Sequence, residues 1–389
     1  MPDQTVNVLN AVTGYQEAVK VKQTLAENGS DLTQLKGHVA QTIARLHPKR
    51  LHLVVEQVIE ETASTKTLRL KNEKGDALPP FQAGQYINLF CSIDGVYTAR
   101  PYAISSSPLQ RDYYDLTIKR VQDGFVSHYL LDQVKVGDRF EATSPMGTFY
   151  HNPVHHGDDL VFLAGGSGVA PAMSMLKNIL EKNQQRHFHM IYVNSFVDDV
   201  IFIDELREFA SNHKQFKLSE VISRPPTGYT GLSGRLTQDV LIQLVDKIEA
   251  KTFYVCGPTP FNDACIALLK QLNVADKRIR LEANGAPKHP DTMPDWPSAI
   301  HLDDEVTVRV QGKGQFKAKV GEPLMNSLER NGYFVENACR SGECSLCRVK
   351  VLSGSVFNPP EAHLRSSDKT FGWIHSCVAF PLEDLEIMY

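Results

Sequence analysis

Several things are missing from this chain, and each absence removes a class of protein. No stretch reaches the ~18 uninterrupted apolar residues that a bilayer demands, so no membrane-crossing helix is expected. The opening Met1-Pro2-Asp3-Gln4-Thr5 has neither the basic region nor the apolar core of a secretory leader. Lys and Arg number 41 against 45 Asp and Glu, a formal net charge of −4 that offers nucleic acid no basic footing. No internal repeat or low-complexity tract is present, which removes solenoids and disordered linkers as the main architecture. Cysteine is also scarce: seven in all, of which four fall into one motif and leave Cys91, Cys256 and Cys265. An odd remainder of three is no disulfide framework, so a reducing, cytoplasmic compartment is expected.

What is there is a globular composition, 42% hydrophobic and 22% charged, spread over 389 residues. That length is too great for one ordinary core and implies two to four domains. The four motif cysteines are the most informative residues. Cys339, Cys344 and Cys347 follow a C-x4-C-x2-C pattern, and Cys377 lies far downstream in Ile374-His375-Ser376-Cys377. This is the plant-type spacing for a 2Fe–2S cluster, a one-electron carrier held by four thiolates. Gly342 gives the loop backbone freedom to curl around it. The alternative is a tetrahedral zinc site, which usually pairs two C-x2-C units where this chain has one.

The remaining chain divides by hydrophobic pattern. In segment 1–46, Tyr15, Ala18, Val21 and Leu25 make a helical stripe ending at Asn28-Gly29. Ser30 or Asp31 then caps a second helix whose apolar face is Leu32, Leu35, Val39, Ile43 and Leu46. Segment 47–152 turns to short β-branched runs at 51–55, 67–70, 85–90 and 116–119, separated by turns at 74–76 and 123–124, which predicts a small antiparallel barrel. In 153–283, strands at 160–164, 189–193 and 251–255 alternate with helices opening at Pro171, around 203–206 and over 261–272. Such alternation predicts a parallel sheet covered by helices. Four prolines within 287–297 stiffen a linker, 284–302. Strands return at 306–310 and 315–320 in segment 303–389, with a helix over 324–329 leading to the cysteine loop.

Three motifs outside the cysteines bear on chemistry. Arg100-Pro101-Tyr102-Ala103-Ile104-Ser105-Ser106 lies in the barrel segment; an arginine fork suits a phosphate, and a tyrosine two residues on shares its face and can lie against a flat ring. Taken alone, a strand-borne Arg and Tyr are more often packing and surface. Gly165-Gly166-Ser167-Gly168-Val169-Ala170-Pro171 follows an apolar strand and opens a helix, where glycines let backbone N–H groups approach a pyrophosphate. It departs from G-x-G-x-x-G, so a tight turn without ligand stays open. Cys256-Gly257-Pro258 falls at the carboxyl end of a strand, where ligands of open α/β sheets bind, although a buried cysteine before a turn is the plainer reading.

Together and in this order, these pieces resemble the ferredoxin–NADP reductase superfamily fused to a C-terminal plant-type ferredoxin, over roughly residues 50–389. The resemblance implies a multidomain fold: an FAD-binding antiparallel β-barrel (47–152), an NAD(P)-binding α/β domain (153–283), the proline-rich linker, and an α+β β-grasp ferredoxin (303–389), behind a short helical extension. It implies that Arg100 meets the flavin phosphate and Tyr102 the isoalloxazine, flanked by Pro101, Ala103, Ser105 and Ser106. Gly124, Val126 and Ser127 resemble the segment that meets the flavin pyrophosphate, which favours FAD over FMN. Gly147-Thr148-Phe149 resembles the close of the flavin domain. Gly165, Gly166, Gly168 and Pro171 match the nicotinamide-nucleotide loop, and Cys256, Gly257 and Pro258 the segment beside the nicotinamide, so Tyr102 and Cys256 are the candidate catalytic residues. Cys339, Cys344, Cys347 and Cys377 would ligate the cluster.

One residue departs from the family pattern: Ala103 stands where Ser or Thr usually faces flavin N5, so the flavin's one-electron behaviour is not carried over. No arginine follows the strand at 189–193, in Asn194-Ser195-Phe196, which favours NADH over NADPH, and Arg224 could serve either nucleotide. The expected enzyme is an NAD(P)H-dependent reductase passing electrons through FAD and the cluster to a protein acceptor, an oxygenase or desaturase component. The alternative is an electron-relaying subunit of an anaerobic redox complex, such as a hybrid-cluster protein reductase. The N-terminal helices are expected to clasp the reductase rather than act as a docking arm, and His151, His155 and His156 to sit in a solvated linker.

Overall fold

The computed structural model describes residues 12–28, 37–182, 184–282, 285–360 and 362–389. It forms two units, 1–48 and 49–389. In the first, helices run over Tyr15–Asn28 and His38–Leu46. Val21, Leu25, Val39 and Ile43 are exposed on them. The expected cap at Ser30 or Asp31 and the face residues Leu32 and Leu35 lie outside the described residues.

The second unit opens with six antiparallel strands: β1 Leu51–Thr62, β2 Thr65–Asn72, β3 Tyr86–Ile93, β4 Val96–Ala103, β5 Tyr114–Lys119 and β6 Arg139–Ala142. Their order is β4-β3-β6-β1-β2-β5. Just past β4, Ile104 bridges Leu116 of β5, so the sheet curls towards closure as a barrel. Alternation in β1 sends Leu51, Leu53 and Val55 inward, where they join Leu68, Leu70, Ile87, Leu89 and Leu116 in the core. The helix Phe125–Asp132 starts at Gly124 and buries Val126, Leu130 and Leu131.

Next comes a parallel sheet of β7 Asp159–Gly165, β8 His187–Asn194, β9 Phe216–Ile222, β10 Leu232–Ser233, β11 Thr252–Cys256 and β12 Ile279–Glu282. The order β10-β9-β8-β7-β11-β12 puts the reversal of winding between β7 and β11. All of Leu160 to Gly165 is buried because helices cover both faces. Val169–Glu181 packs with Phe162 and Ala164, and Thr259–Gln271 with Val161, Leu163 and Val255. The first helix begins at Val169, two residues before Pro171, because Gly166–Gly168 already makes a 3-10 turn that continues into it.

The third sheet contains β13 Glu305–Val310, β14 Gly314–Lys319, β15 Arg348–Ser353, β17 Trp373–His375 and β19 Leu385–Met388, in the order β14-β13-β19-β15-β17. A small pair, β16 Val356–Phe357 and β18 Phe380–Pro381, lies apart. Strands β13 and β19 pair in parallel and the other neighbours antiparallel, with the helix Leu324–Arg330 packed on the same core, which is the β-grasp arrangement. The proline-rich linker is not a loose tether. Its Trp296 meets Phe357 edge-on at 5.2 Å, and Ile300 packs on the same core. Among the described residues no helix is long and apolar enough to cross a membrane.

One expectation is corrected here. His156 does not sit in a solvated linker: it is 7% exposed. Its Nδ1 accepts the Asn152 N–H at 3.0 Å and lies 2.7 Å from the Tyr254 hydroxyl. Sequence spacing cannot reveal this, because Tyr254 comes from β11, about a hundred residues on.

Candidate functional site

The edge strand β4 carries Arg100, Pro101, Tyr102 and Ala103, each half-buried. Pairing with β3 sets Leu89 opposite Arg100, Ile87 opposite Tyr102 and Tyr86 opposite Ala103. One Nη1 of Arg100 donates to Thr98 Oγ1 at 2.7 Å and to the Ala99 carbonyl at 2.8 Å. Burial, and then the charge of nearby Arg340, pull its guanidinium down to about 10. Ser105 and Ser106 are engaged by β5: the Ser105 hydroxyl donates to the Asp115 carbonyl and Ser106 Oγ accepts the Asp115 N–H. Both are buried, so their contribution here is to fix the chain after β4. Gly124 heads its helix, and a Cβ there would meet Ser127 Oγ at 2.3 Å.

The glycine loop and Cys256-Gly257 come together at the switch point of the parallel sheet, the place where open α/β sheets form their ligand crevice. A Cβ on Gly168 would lie 1.9 Å from the Cys256 carbonyl oxygen, and on Gly165 or Gly257 would strike Phe261. Glycine is thus required for the two turns to close on each other. Cys256 is buried and Pro258 exposed. Arg224 donates its backbone N–H to the Ser195 carbonyl, with its guanidinium 5.8 Å from the Phe196 ring.

The four motif cysteines gather two by two. Cys347 and Cys377 Sγ atoms are 3.3 Å apart, and the N–H groups of Ser341 and Cys344 donate to Cys339 Sγ at 3.4 and 3.3 Å. Arg340, Gly342 and Ser345 take the left-handed backbone that curls the loop. Donation from Cys344, outweighing burial, holds the Cys339 thiol far below its usual value, and donation from Cys377 lowers Cys347. Among the described residues no three His, Cys, Asp or Glu side chains converge on one point as a single ion would require. Two pairs suit two irons.

Three family models match in the same order: an oxidoreductase FAD-binding domain over residues 52–151, an oxidoreductase NAD-binding domain over 162–266, and a 2Fe-2S iron-sulfur cluster binding domain over 308–382. The glycine betaine monooxygenase reductase subunit of Pseudomonas aeruginosa is 30% identical over 354 residues, 87% of this chain and 95% of that protein. The chain belongs to the ferredoxin–NADP reductase superfamily, in the form that ends in a plant-type ferredoxin. The NADH oxidoreductase HCR of Escherichia coli is 31% identical over 306 residues, 79% of this chain and 88% of the relative. The fold matches phthalate dioxygenase reductase with a TM-score of 0.62 at 22% identity, covering 87% of this chain and 97% of that one.

As a member of this superfamily the chain is an NAD(P)H-dependent oxidoreductase with FAD, NAD and 2Fe–2S domains, and its residues fit those groups. Around β4, Arg100 and Arg340 share a single carboxylate, Glu329, leaving one positive charge for an anion such as the flavin phosphate. The glycine crevice fits a pyrophosphate, and the paired thiols fit a binuclear cluster.

Several members of the site were not singled out from the sequence. Lys119, ending β5, places Nζ 3.9 Å from where a Gly166 Cβ would stand and pairs with Asp199 at 2.7 Å. Burial raises the Asp199 carboxyl, but hydrogen bonds from Lys119, Ser64 and Thr62 outweigh it and hold the group below its usual value. Tyr86 packs with Ala338 and Cys339, joining the flavin strand to the cluster loop. Glu282, opposite Cys256 at the end of β12, is pushed up to about 8 by burial and then by Glu343 and Cys339. None lies in a local motif; each is delivered by strand pairing or domain packing. A basic residue closing a strand (Lys119) was the one signal available.

Proposed function

We propose that this protein is the NADH-dependent reductase component of an oxygenase system, accepting electrons from NADH and delivering them singly to a protein partner. The observation carrying this reading is the junction at which β3, β4 and the cysteine loop meet: Tyr86 pairs with Ala103 on one side and packs on Cys339 on the other. A bound FAD would supply the exchange between a two-electron hydride from the nicotinamide and single electrons for the cluster.

The chain's own residues supply position and charge. Arg100 holds the flavin phosphate, Tyr102 the isoalloxazine face, and Gly124, Val126 and Ser127 the pyrophosphate at a helix start. Gly165, Gly166, Gly168 and Pro171 seat the nicotinamide nucleotide, Arg224 and Lys119 meet its phosphates, and Cys256, Gly257 and Pro258 border the ring. Cys339, Cys344, Cys347 and Cys377 hold the irons. No arginine directly follows β8 in Asn194-Ser195-Phe196, which supports NADH, although Arg224 beside Phe196 could serve either nucleotide. The oxygenase partner is supported by the glycine betaine monooxygenase relatives.

A second reading has support of its own, since the Escherichia coli relative is named an NADH oxidoreductase without an oxygenase. The acceptor would then be another redox protein. Anaerobic addition of NADH to the isolated protein should bleach the flavin within seconds and NADPH much more slowly; no bleaching by either would sink the enzyme reading. Affinity capture from native cells with mass spectrometry then separates the partners, an oxygenase component against a non-oxygenase redox protein.

A further inference from the structure

His375 is fully buried at the end of β17, two residues before Cys377, which lies in the turn that follows. It pairs across the sheet with Arg348, which directly follows Cys347. Among the described residues, neither ring nitrogen has a hydrogen-bond partner. The Gly342 backbone at the tip of the cysteine loop and the Asp368 carboxylate both act on the ring, yet neither meets it as an acceptor in good geometry. Asp368 is itself buried and bound to Arg348 at 2.9 Å through Oδ1. An imidazole carries at least one N–H whatever its charge, and leaving a buried donor unsatisfied is costly. A dry polar side chain in this position needs an acceptor, and the group that the four thiols would enclose is rich in them.

We propose that His375 donates an N–H to a sulfur of the 2Fe–2S cluster, a ligand thiolate or a bridging sulfide, and so raises the cluster's reduction potential. This rests on the reading of Cys339, Cys344, Cys347 and Cys377 as cluster ligands. Reduction adds one electron and one negative charge to the cluster, and a donor at sulfur stabilises that charge more in the reduced than in the oxidised form. No change in the ring's protonation is involved. The residue is a positioning and tuning group: the donor favours the electron's residence on the cluster over its return to the flavin.

The test is a spectroelectrochemical titration of the FAD- and cluster-loaded protein, with iron and sulfide counted, in the native form and in His375→Leu and His375→Gln. With full cluster content in each, the Leu form should be about tenfold harder to reduce at fixed potential, a fall of about 59 mV for one electron, and Gln should recover part of the shift. An unchanged potential in a fully loaded Leu form overturns the proposal. If the Leu form does not load, pulsed paramagnetic resonance on the reduced native protein decides, using histidine labelled with nitrogen-15. A coupled imidazole nitrogen supports the proposal, and its absence overturns it. Native protein binding no iron or sulfide would instead mark failure of the cluster reading beneath it.

Discussion

At position 103 a methyl group stands where the resemblance leads one to expect a hydroxyl. The strand pairing puts Ala103 opposite Tyr86, which packs on the cysteine loop at Cys339. Ala103→Ser should restore a donor and acceptor at the flavin edge and alter the share of flavin seen in its one-electron form during an anaerobic reductive titration. An identical titration course would show that the hydroxyl has no influence here. The residues legible from the sequence were those whose chemistry is local: Arg100 to Ser106, the glycine run, Cys256-Gly257-Pro258 and the cysteine run 339–347 each occupy fewer than ten consecutive positions, with Cys377 alone set apart. Lys119, Glu282 and Tyr86 were not legible, because their neighbours are distant in the chain, as Cys339 is from Tyr86, and His375 was not because burial does not show in a sequence. The sequence reading of the serine tail also lacked its partner: only β5 reveals that Ser105 and Ser106 spend their hydroxyls on Asp115.

Elements were legible wherever periodicity was strong, as in β7, β8, β11 and the helices they feed, and not where a strand is short or exposed, as in β6, β10 and β12. The turn linking β7 to its helix yields a graded test. Gly168→Ala drives a methyl to 1.9 Å from the Cys256 carbonyl, which must part the glycine loop from β11. Gly166→Ala meets only the Lys119 amine at 3.9 Å and carries the strain of φ +52°, about 1–2 kcal/mol. Stopped-flow reduction by NADH should slow more than tenfold in the first and less than threefold in the second, with FAD retained in both; equal losses would show that steric closure is not what the loop provides. The segment before β7 adds a pH dependence. Burial, then Arg280, pushes His156 down to about 4, while an unfolded histidine titrates near 6.5. A base whose folded pKa is depressed binds its proton more readily in the unfolded chain, so stability is complete above pH 6.5 and falls as pH drops toward 4. The loss should be about 1–3 kcal/mol, read as a lower Tm at pH 5 than at pH 7. His156→Gln should flatten that slope, and an unaltered slope would assign the pH response to other groups.

The reductase and ferredoxin parts of the molecule meet through a buried charge network, and a proline-rich linker read from sequence as a mere spacer does not convey that. Arg340, next to the cluster ligand Cys339, donates to both oxygens of Glu329 at 2.9 and 2.8 Å and to the Ala99 carbonyl of β4 at 2.6 Å. Thr98 of β4 donates to the same carboxylate at 2.8 Å, and Arg100 stands 4.0 Å away. Beside it Asn88 donates to the Asn337 carbonyl at 2.7 Å, and Arg50 pairs with Glu336 at 2.7 Å. Glu329 therefore holds one guanidinium from each domain. Replacing it with glutamine keeps the shape, removes the charge and leaves Arg100 and Arg340 confronting each other without a counterion. Breaking a buried pair from one side costs about 3–5 kcal/mol, concentrated at the docking surface. Glu329 lies on the helix Leu324–Arg330 and reaches the cysteine loop through the side chain of Arg340 rather than through a cysteine, so cluster loading should survive. Loss of the nearby negative charge should leave the flavin phosphate held at least as firmly. The expected signature of Glu329→Gln is a split: NADH-driven ferricyanide reduction, which taps the flavin, stays within about twofold of native. Cytochrome c reduction, which draws on the cluster, falls about tenfold, since a misplacement of about 1 Å can cost two orders of magnitude. If both activities instead fell together, or neither moved while the Tm dropped, the network would be a structural brace with no part in carrying electrons between the domains.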